Sequence, residues 1–221
     1  MQAIVEIDGV LFDVQAATWE AYSRAVAEIG LARTEESALW RLVRTGGADG
    51  QMVRGARPHQ LERFRAAFDA ALEDDAVIAK YVPHIDWRES LDVLRGLGPY
   101  SAVTAGSNLA ARHILLRGNS LGEVFPQLTQ APAPAPAGAA ALREIAARHA
   151  DERLVVVFAS SVELARYADE AGMVPIGISS GRAIGKRLAG AGARATYADL
   201  EAFAGALEKG DEALRRAGLV F

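Results

Sequence analysis

Two carboxylates stand two residues apart where the first apolar run of the chain ends, in Ile4-Val5-Glu6-Ile7-Asp8-Gly9. Side chains of this type can attack an electrophile, relay a proton or hold a hard cation. Each also has a purely structural use. Glu6 can accept backbone amides at the strand end, and Asp8 can order the tight turn at Gly9, because Asp favours such turns. Two hydroxyl-bearing residues close later apolar runs, Thr104 after Ser101-Ala102-Val103 and Ser160 after Val155-Val156-Val157-Phe158-Ala159. The Thr104 hydroxyl can cap the loop before the next helix. Ser160-x-x-Glu163 ahead of Leu164 has the form of a capping box. The chain has no cysteine, so a thiol nucleophile and a thiolate metal site are both excluded.

These residues need strands to carry them to one place. Ile4–Ile7, Ser101–Thr104, Leu154–Phe158 and Val174–Ile178 are short, rich in Val and Ile, and bounded by turn residues, which predicts buried strands. Helical patterns alternate with them at about 87–97, 108–117, 138–149, 161–171, 182–190 and 199–217, the last broken at Gly210. Continuous apolar strands alternating with helices predict an α/β fold, a doubly wound, Rossmann-like parallel sheet covered on both faces. Right-handed crossovers then put every strand's carboxyl end on one edge, where ligands bind in such sheets.

Residues 15–82 break the rhythm. They read as helices only, at about 15–30, 35–44 and 59–80, with Pro58 placed to start the last and a glycine-rich turn at Thr45–Gly50. Such a stretch is either an inserted helical cap or a helical layer on the sheet. Ala131-Pro132-Ala133-Pro134-Ala135-Pro136-Ala137 reads by itself as a short polyproline II connector. The balance of 24 basic against 28 acidic residues gives a net charge of −4, with no basic patch for nucleic acid or a membrane surface. No basic segment followed by a long apolar run opens the chain, and no stretch reaches membrane-span length, so a cytoplasmic protein is expected.

The motifs, in order, resemble those of the haloacid dehalogenase (HAD) superfamily, in the phosphoglycolate phosphatase and β-phosphoglucomutase branch. Glu6-Ile7-Asp8-Gly9-Val10-Leu11-Phe12-Asp13 resembles D-x-D-G-[TV]-L-x-D, with Glu6 at the nucleophile position. Tyr100–Asn108 resembles the second motif, which makes Thr104 and Ala105 the phosphate-binding positions. Ala133-Pro134-Ala135-Pro136 matches the prolines of K-P-x-P but has Ala133 where Lys is expected, and the register at Ala131 also offers Ala. Val155–Leu164, with Glu170-Ala171-Gly172 after it, resembles the metal-binding motif. Its acids then fall at Ser160 and Leu164, or at Ala159 and Glu163 in the other register. The resemblance covers the chain and implies a core of 1–14 and 83–221 with a cap at 15–82.

In the family a first-motif Asp attacks phosphorus, the second Asp serves as acid and base, and Thr and Lys hold the phosphate. Mg²⁺ bridges the nucleophile, a backbone carbonyl and a fourth-motif acid. Here the resemblance puts Glu6 and Asp8 at the catalytic positions, and the Asp8 carbonyl and Ser160 at the metal. Glu6 carries its carboxylate about 1.5 Å farther out than Asp would, and a displacement of roughly 1 Å can cost on the order of 100-fold. Arg112 or Arg143 could replace the missing lysine, although both read as solvated helix residues. Arg44, Arg54 and Arg57, around the cap loop, are candidates for a substrate's anionic end, against solvated arginines as the plainer reading.

Nucleophile, lysine and metal acid are therefore altered together. This predicts a catalytically impaired or silent HAD-like protein acting as a binding or assembly module, with no cofactor and with surfaces for a homodimer. The alternative is a divergent phosphatase of a small phosphorylated metabolite, needing Mg²⁺ and resting on Asp8 and Thr104. Dehalogenase chemistry, suggested by Leu11–Val14, needs the same missing nucleophile.

Overall fold

In the computed structural model, which describes residues 1–84, 87–149 and 154–219, the chain opens with β1 (Gln2–Glu6), every residue of it buried. A turn leads to β2 (Phe12–Asp13). Five helices follow: α1 (Gln15–Ile29), α2 (Glu36–Thr45), α3 (Asp49–Met52), α4 (Pro58–Leu72) and α5 (Asp75–Ile78). Then β3 (Val82–Pro83) pairs antiparallel with β2, so a two-stranded ribbon brackets these helices. The remainder alternates: α6 (Trp87–Leu97), β4 (Tyr100–Thr104), α7 (Leu109–Gly118), β5 (Leu128–Gln130), α8 (Ala135–Ala147), β6 (Val155–Ala159), α9 (Val162–Glu170), β7 (Val174–Ile178), α10 (Gly185–Gly190), β8 (Ala195–Tyr197), α11 (Leu200–Glu208) and α12 (Glu212–Arg216).

Apart from the β2–β3 ribbon, the strands form one parallel six-stranded sheet in the order β5-β4-β1-β6-β7-β8. Strand order reverses around β1, which lies between β4 and β6. Crevices that bind ligands in open α/β sheets lie at such reversals, outside the carboxyl ends. Glu6, the last residue of β1, sits opposite Val103, one residue before the end of β4. Apolar residues clothe both sheet faces, one cluster with Val5, Ala102, Phe158 and Phe203, the other with Ile4, Val103, Val157, Leu142 and Leu164. That two-sided burial is why the strands are continuous apolar runs rather than alternating ones.

The helical stretch has an apolar cluster of its own, in which Tyr22, Val26, Leu39, Met52 and Phe64 are buried. The Tyr22 hydroxyl donates to the Met52 carbonyl at 2.9 Å and accepts the Thr34 amide at 2.8 Å. Ala17 and Ala21 on another face of α1 join the sheet-side core with Val77 and Ile78.

Several elements differ from the sequence reading. β5 and β8 are additional edge strands, three residues each, too short for a periodicity signal. The helix expected at 59–80 is two, because Glu73 ends α4 and the Asp74 side chain caps α5 by accepting the Ala76 amide at 3.0 Å. The proline-rich segment is only partly a connector. It contains a cis Ala133–Pro134 bond, and α8 starts at Ala135 with Pro136 in its first turn, where a missing N–H costs nothing. Positions 85–86, 150–153 and 220–221 of the expected core lie outside the described residues.

Candidate functional site

β1 delivers Glu6 to the carboxyl edge, and a tight turn brings Asp8 back beside it. The Gly9 amide donates to the Phe12 carbonyl at 2.8 Å, and the Phe12 amide to the Ile7 carbonyl at 3.1 Å. Gly9 has φ +94°, and a Cβ there would lie 2.5 Å from Ser160 Oγ and 2.8 Å from Gly181 Cα, so only glycine fits the turn. The Ser180 hydroxyl donates to the Gly9 carbonyl at 2.8 Å, tying the turn to the loop after β7.

Glu6 is 2 % exposed and meets only uncharged donors. Its Oε2 accepts the Ser160 amide at 2.6 Å and the Ser161 amide at 3.0 Å, while Oε1 accepts the Ser161 hydroxyl at 2.6 Å. Ser160 Oγ lies 3.2 Å from the same Oε2 and donates to the Asp8 carbonyl at 2.6 Å. One hydroxyl thus stands between the carboxylate and the carbonyl. Burial pushes the Glu6 carboxyl up to about 7, against the pull of the Ser161 bond and with a further push from the charge on Asp8.

Asp8 is 5 % exposed but meets cations. Its Oδ1 accepts Arg112 Nε at 3.0 Å, and its Oδ2 accepts the Thr104 hydroxyl. Burial alone would raise this carboxyl; the charges of Arg112 and Arg182 and the hydrogen bonds outweigh it and hold Asp8 below the usual carboxylate range. Thr104 ends β4 fully buried, and its Oγ1 also accepts the Gly106 amide at 2.9 Å. Arg112 reaches Asp8 from the buried face of α7 and is itself 0 % exposed. Its guanidinium lies on Gly106, where a Cβ would be 2.2 Å from Nη2. The opposite edge of the guanidinium grips Glu73, Nη1 to Oε2 at 2.7 Å and Nη2 to Oε1 at 3.2 Å. Arg182, half-buried in the loop after β7, donates to the buried Tyr81 hydroxyl at 3.2 Å. Burial, helped by the charge on Asp8, raises the Tyr81 phenol well above its usual range.

No family model matches the sequence, and no curated protein matches it. Solved structures do. A haloacid dehalogenase-like family hydrolase from Streptococcus pneumoniae superposes with TM-score 0.69 at 13% identity, over 90% of this chain and 94% of that one. A predicted phosphoglycolate phosphatase from Haemophilus somnus gives 0.63 at 15% identity over 95% and 97%. A protein assigned as a β-phosphoglucomutase from Thermotoga maritima gives 0.58 at 21% identity over 94% and 98%. This chain has the haloacid dehalogenase-like fold. At such identities the likeness is one of fold, and the chemistry has to be read from the residues.

On the HAD-like scaffold Glu6, Asp8, Thr104 and Ser160 come together. Ala105 follows on the half-buried loop, and Ala133 is exposed on the segment after β5. Glu163 is exposed on α9, while Leu164 is buried in an apolar cluster, so neither faces Glu6. The helix cap is Ser161, whose hydroxyl accepts the Leu164 amide at 3.3 Å. Ser160 is not that cap, because it is drawn inward by Glu6 and Asp8. Arg112 is no solvated residue either; its place between Ala111, Leu115 and Leu116 on the buried stripe of α7 was the signal for it. Arg143 is exposed and donates to the Glu170 carbonyl. Arg44 donates to the Ser179 carbonyl, joining α2 to the sheet side, whereas Arg54 and Arg57 are exposed. Ser161 lay inside the Val155–Leu164 motif beside Ser160 but was not singled out by it, whereas Glu73, Tyr81 and Arg182 carried no motif signal, since only the folded chain brings them near the acids.

Among the described residues no three His, Cys, Asp or Glu side chains group to hold a metal. Nor is any helix among them long and apolar enough to cross a membrane.

Proposed function

We propose that this HAD-fold protein is catalytically silent and works as a binding or assembly module, with residues 15–82 as a helical cap over residues 1–14 and 83–221. One observation carries the reading. The Ser160 hydroxyl donates to the Asp8 carbonyl at 2.6 Å and lies 3.2 Å from Glu6 Oε2, the two oxygens that a bridging cation would need. Mg²⁺ calls for near-octahedral oxygen ligands at about 2.0–2.1 Å. Here one carboxylate oxygen already accepts two backbone amides and the remaining ligand position is a serine, so the donor set does not fit the ion. The phosphate side is equally self-satisfied, with both Asp8 oxygens bonded to Arg112 and Thr104. Asp8 kept ionised by Arg112 also has no proton to give a leaving group at neutral pH.

The test is calorimetry of the purified chain with Mg²⁺ and with a phosphate mimic, beside a phosphate-ester panel. The expected result is no heat of Mg²⁺ binding and no turnover, and Glu6→Asp alone restores neither. A second reading, a divergent Mg²⁺-dependent phosphatase, draws on the Thr104–Asp8 contact and on Arg112 as a cation in place of the missing lysine. Ester hydrolysis that needs Mg²⁺ and disappears in Asp8→Asn would establish that reading and end the first.

A further inference from the structure

The guanidinium of Arg112 is shared between two layers of the molecule. Its Nε serves Asp8 on the turn after β1, and its Nη edge serves Glu73, which ends α4. Glu73 is bound from the sheet side at other points too. Its Oε2 accepts the Asn108 amide at 2.7 Å, and its backbone carbonyl accepts Asn108 Nδ2 at 2.8 Å. Asn108 Nδ2 also reaches Asp75 Oδ1 at 2.6 Å, and Asn108 Oδ1 caps α7 by accepting the Ala111 amide at 3.1 Å. Arg112 is wholly buried, whereas the Glu73 side chain is 28 % exposed. The end of α4 is therefore fixed to the start of α7 by a carboxylate that water can reach from outside.

We propose that Glu73 is a latch: it holds the helical segment on the sheet and, through Arg112, holds the Asp8 turn, so that releasing it loosens both together. The physical reason is the count of donors. Without Glu73, Nη1 keeps only the Asn108 carbonyl at 3.3 Å while Nη2 loses its carboxylate partner, and a buried donor left unpaired costs its desolvation. Either water enters beside Asp8 or Arg112 swings outward, and in both cases the Asp8 turn loses its rigid partner. A carboxylate that merely finished α4 would affect only its own neighbourhood. The proposal is independent of whether the site turns over a substrate.

Amide hydrogen exchange on the full chain tests it, comparing the wild type with Glu73→Ala and Glu73→Gln. Exchange in Glu73→Ala is expected to quicken about tenfold or more at residues 106–112 and at the Gly9 and Phe12 amides, with β6 and β7 unchanged. Glu73→Gln keeps an oxygen for the Asn108 amide but not the ion pair. It should loosen the Gly9–Phe12 turn nearly as much while leaving the Asn108 amide protected. Acceleration confined to residues 73–78, acceleration spread evenly over the chain, or a Gly9–Phe12 turn as protected in both variants as in the wild type would each overturn the latch.

Discussion

Glu6 and Asp8 are two residues apart, both buried, and live in opposite electrostatic surroundings. Glu6 is wrapped in amides and hydroxyls that carry no full charge, so desolvation wins and its carboxyl rises to about 7. Asp8 faces Arg112 and Arg182, so their charges outweigh the same desolvation and it stays ionised. The contrast teaches that the acidic pair is not one functional unit here. One member is a hydrogen-bond hub between β1 and β6; the other is the anion of a buried ion pair that reaches to Glu73.

Removing the cation breaks the contrast most severely. Arg112→Met leaves Asp8 and Glu73 without their partner, and breaking a buried pair from one side typically costs about 3–5 kcal/mol. Urea unfolding at pH 7 should show a loss of that size, with part of it recovered when Asp8→Asn is added. A loss under about 1 kcal/mol would mean that the pair is unimportant to the fold.

The pH dependence separates the two acids. The Glu6 carboxyl is raised in the folded chain, so its proton is held more tightly there than in the unfolded one. Its contribution is full below the ordinary glutamate value of 4.5 and is lost as pH rises through about 7. A shift of this size corresponds to roughly 3 kcal/mol. Asp8 acts in the opposite sense, stabilising above the ordinary aspartate range and losing that only as pH falls through its depressed value. Stability measured from pH 5 to 8 should therefore decline in the wild type and stay nearly flat in Glu6→Gln. Parallel curves for the two proteins would show that Glu6 does not titrate in this window.

Smaller effects sharpen the picture on the β6 side. Ser160→Ala takes the donor from the Asp8 carbonyl, and an unpaired buried acceptor costs about 1–3 kcal/mol. Ser161→Ala loses a helix cap, typically about 1 kcal/mol, together with a hydroxyl bond to Glu6. Thermal unfolding of both should rank Ser160 above Ser161. The reverse order would make the cap, and not the bridge to the Asp8 carbonyl, the main task of this serine pair.

Much of this arrangement was legible before folding. The four strands with apolar runs of four or five residues lie where periodicity puts them, because burial on both faces demands continuous Val and Ile. The edge strands β5 and β8 escaped, since three residues carry no period and their pairing is supplied by β4 and β7. Glu6 as an acceptor of backbone amides could be read from a carboxylate at a strand end. Which amides it accepts could not, because Ser160 and Ser161 lie more than 150 residues away and arrive only through the β1–β6 pairing.

Arg112 marks the boundary between the two kinds of knowledge. Sequence alone determined that an arginine stands among Ala111, Leu115 and Leu116, and by itself it reads as a solvated helix residue; its burial, and so its need for a counter-charge, came with the fold. Only the tertiary structure decided that the counter-charges are Asp8 and Glu73, from two layers with no sequence relation to α7. Local patterning reports how each segment divides polar from apolar. The partners of a buried charge depend instead on which segments the sheet order and the helical stretch bring within about 3 Å, and distance in space is what sets its energy.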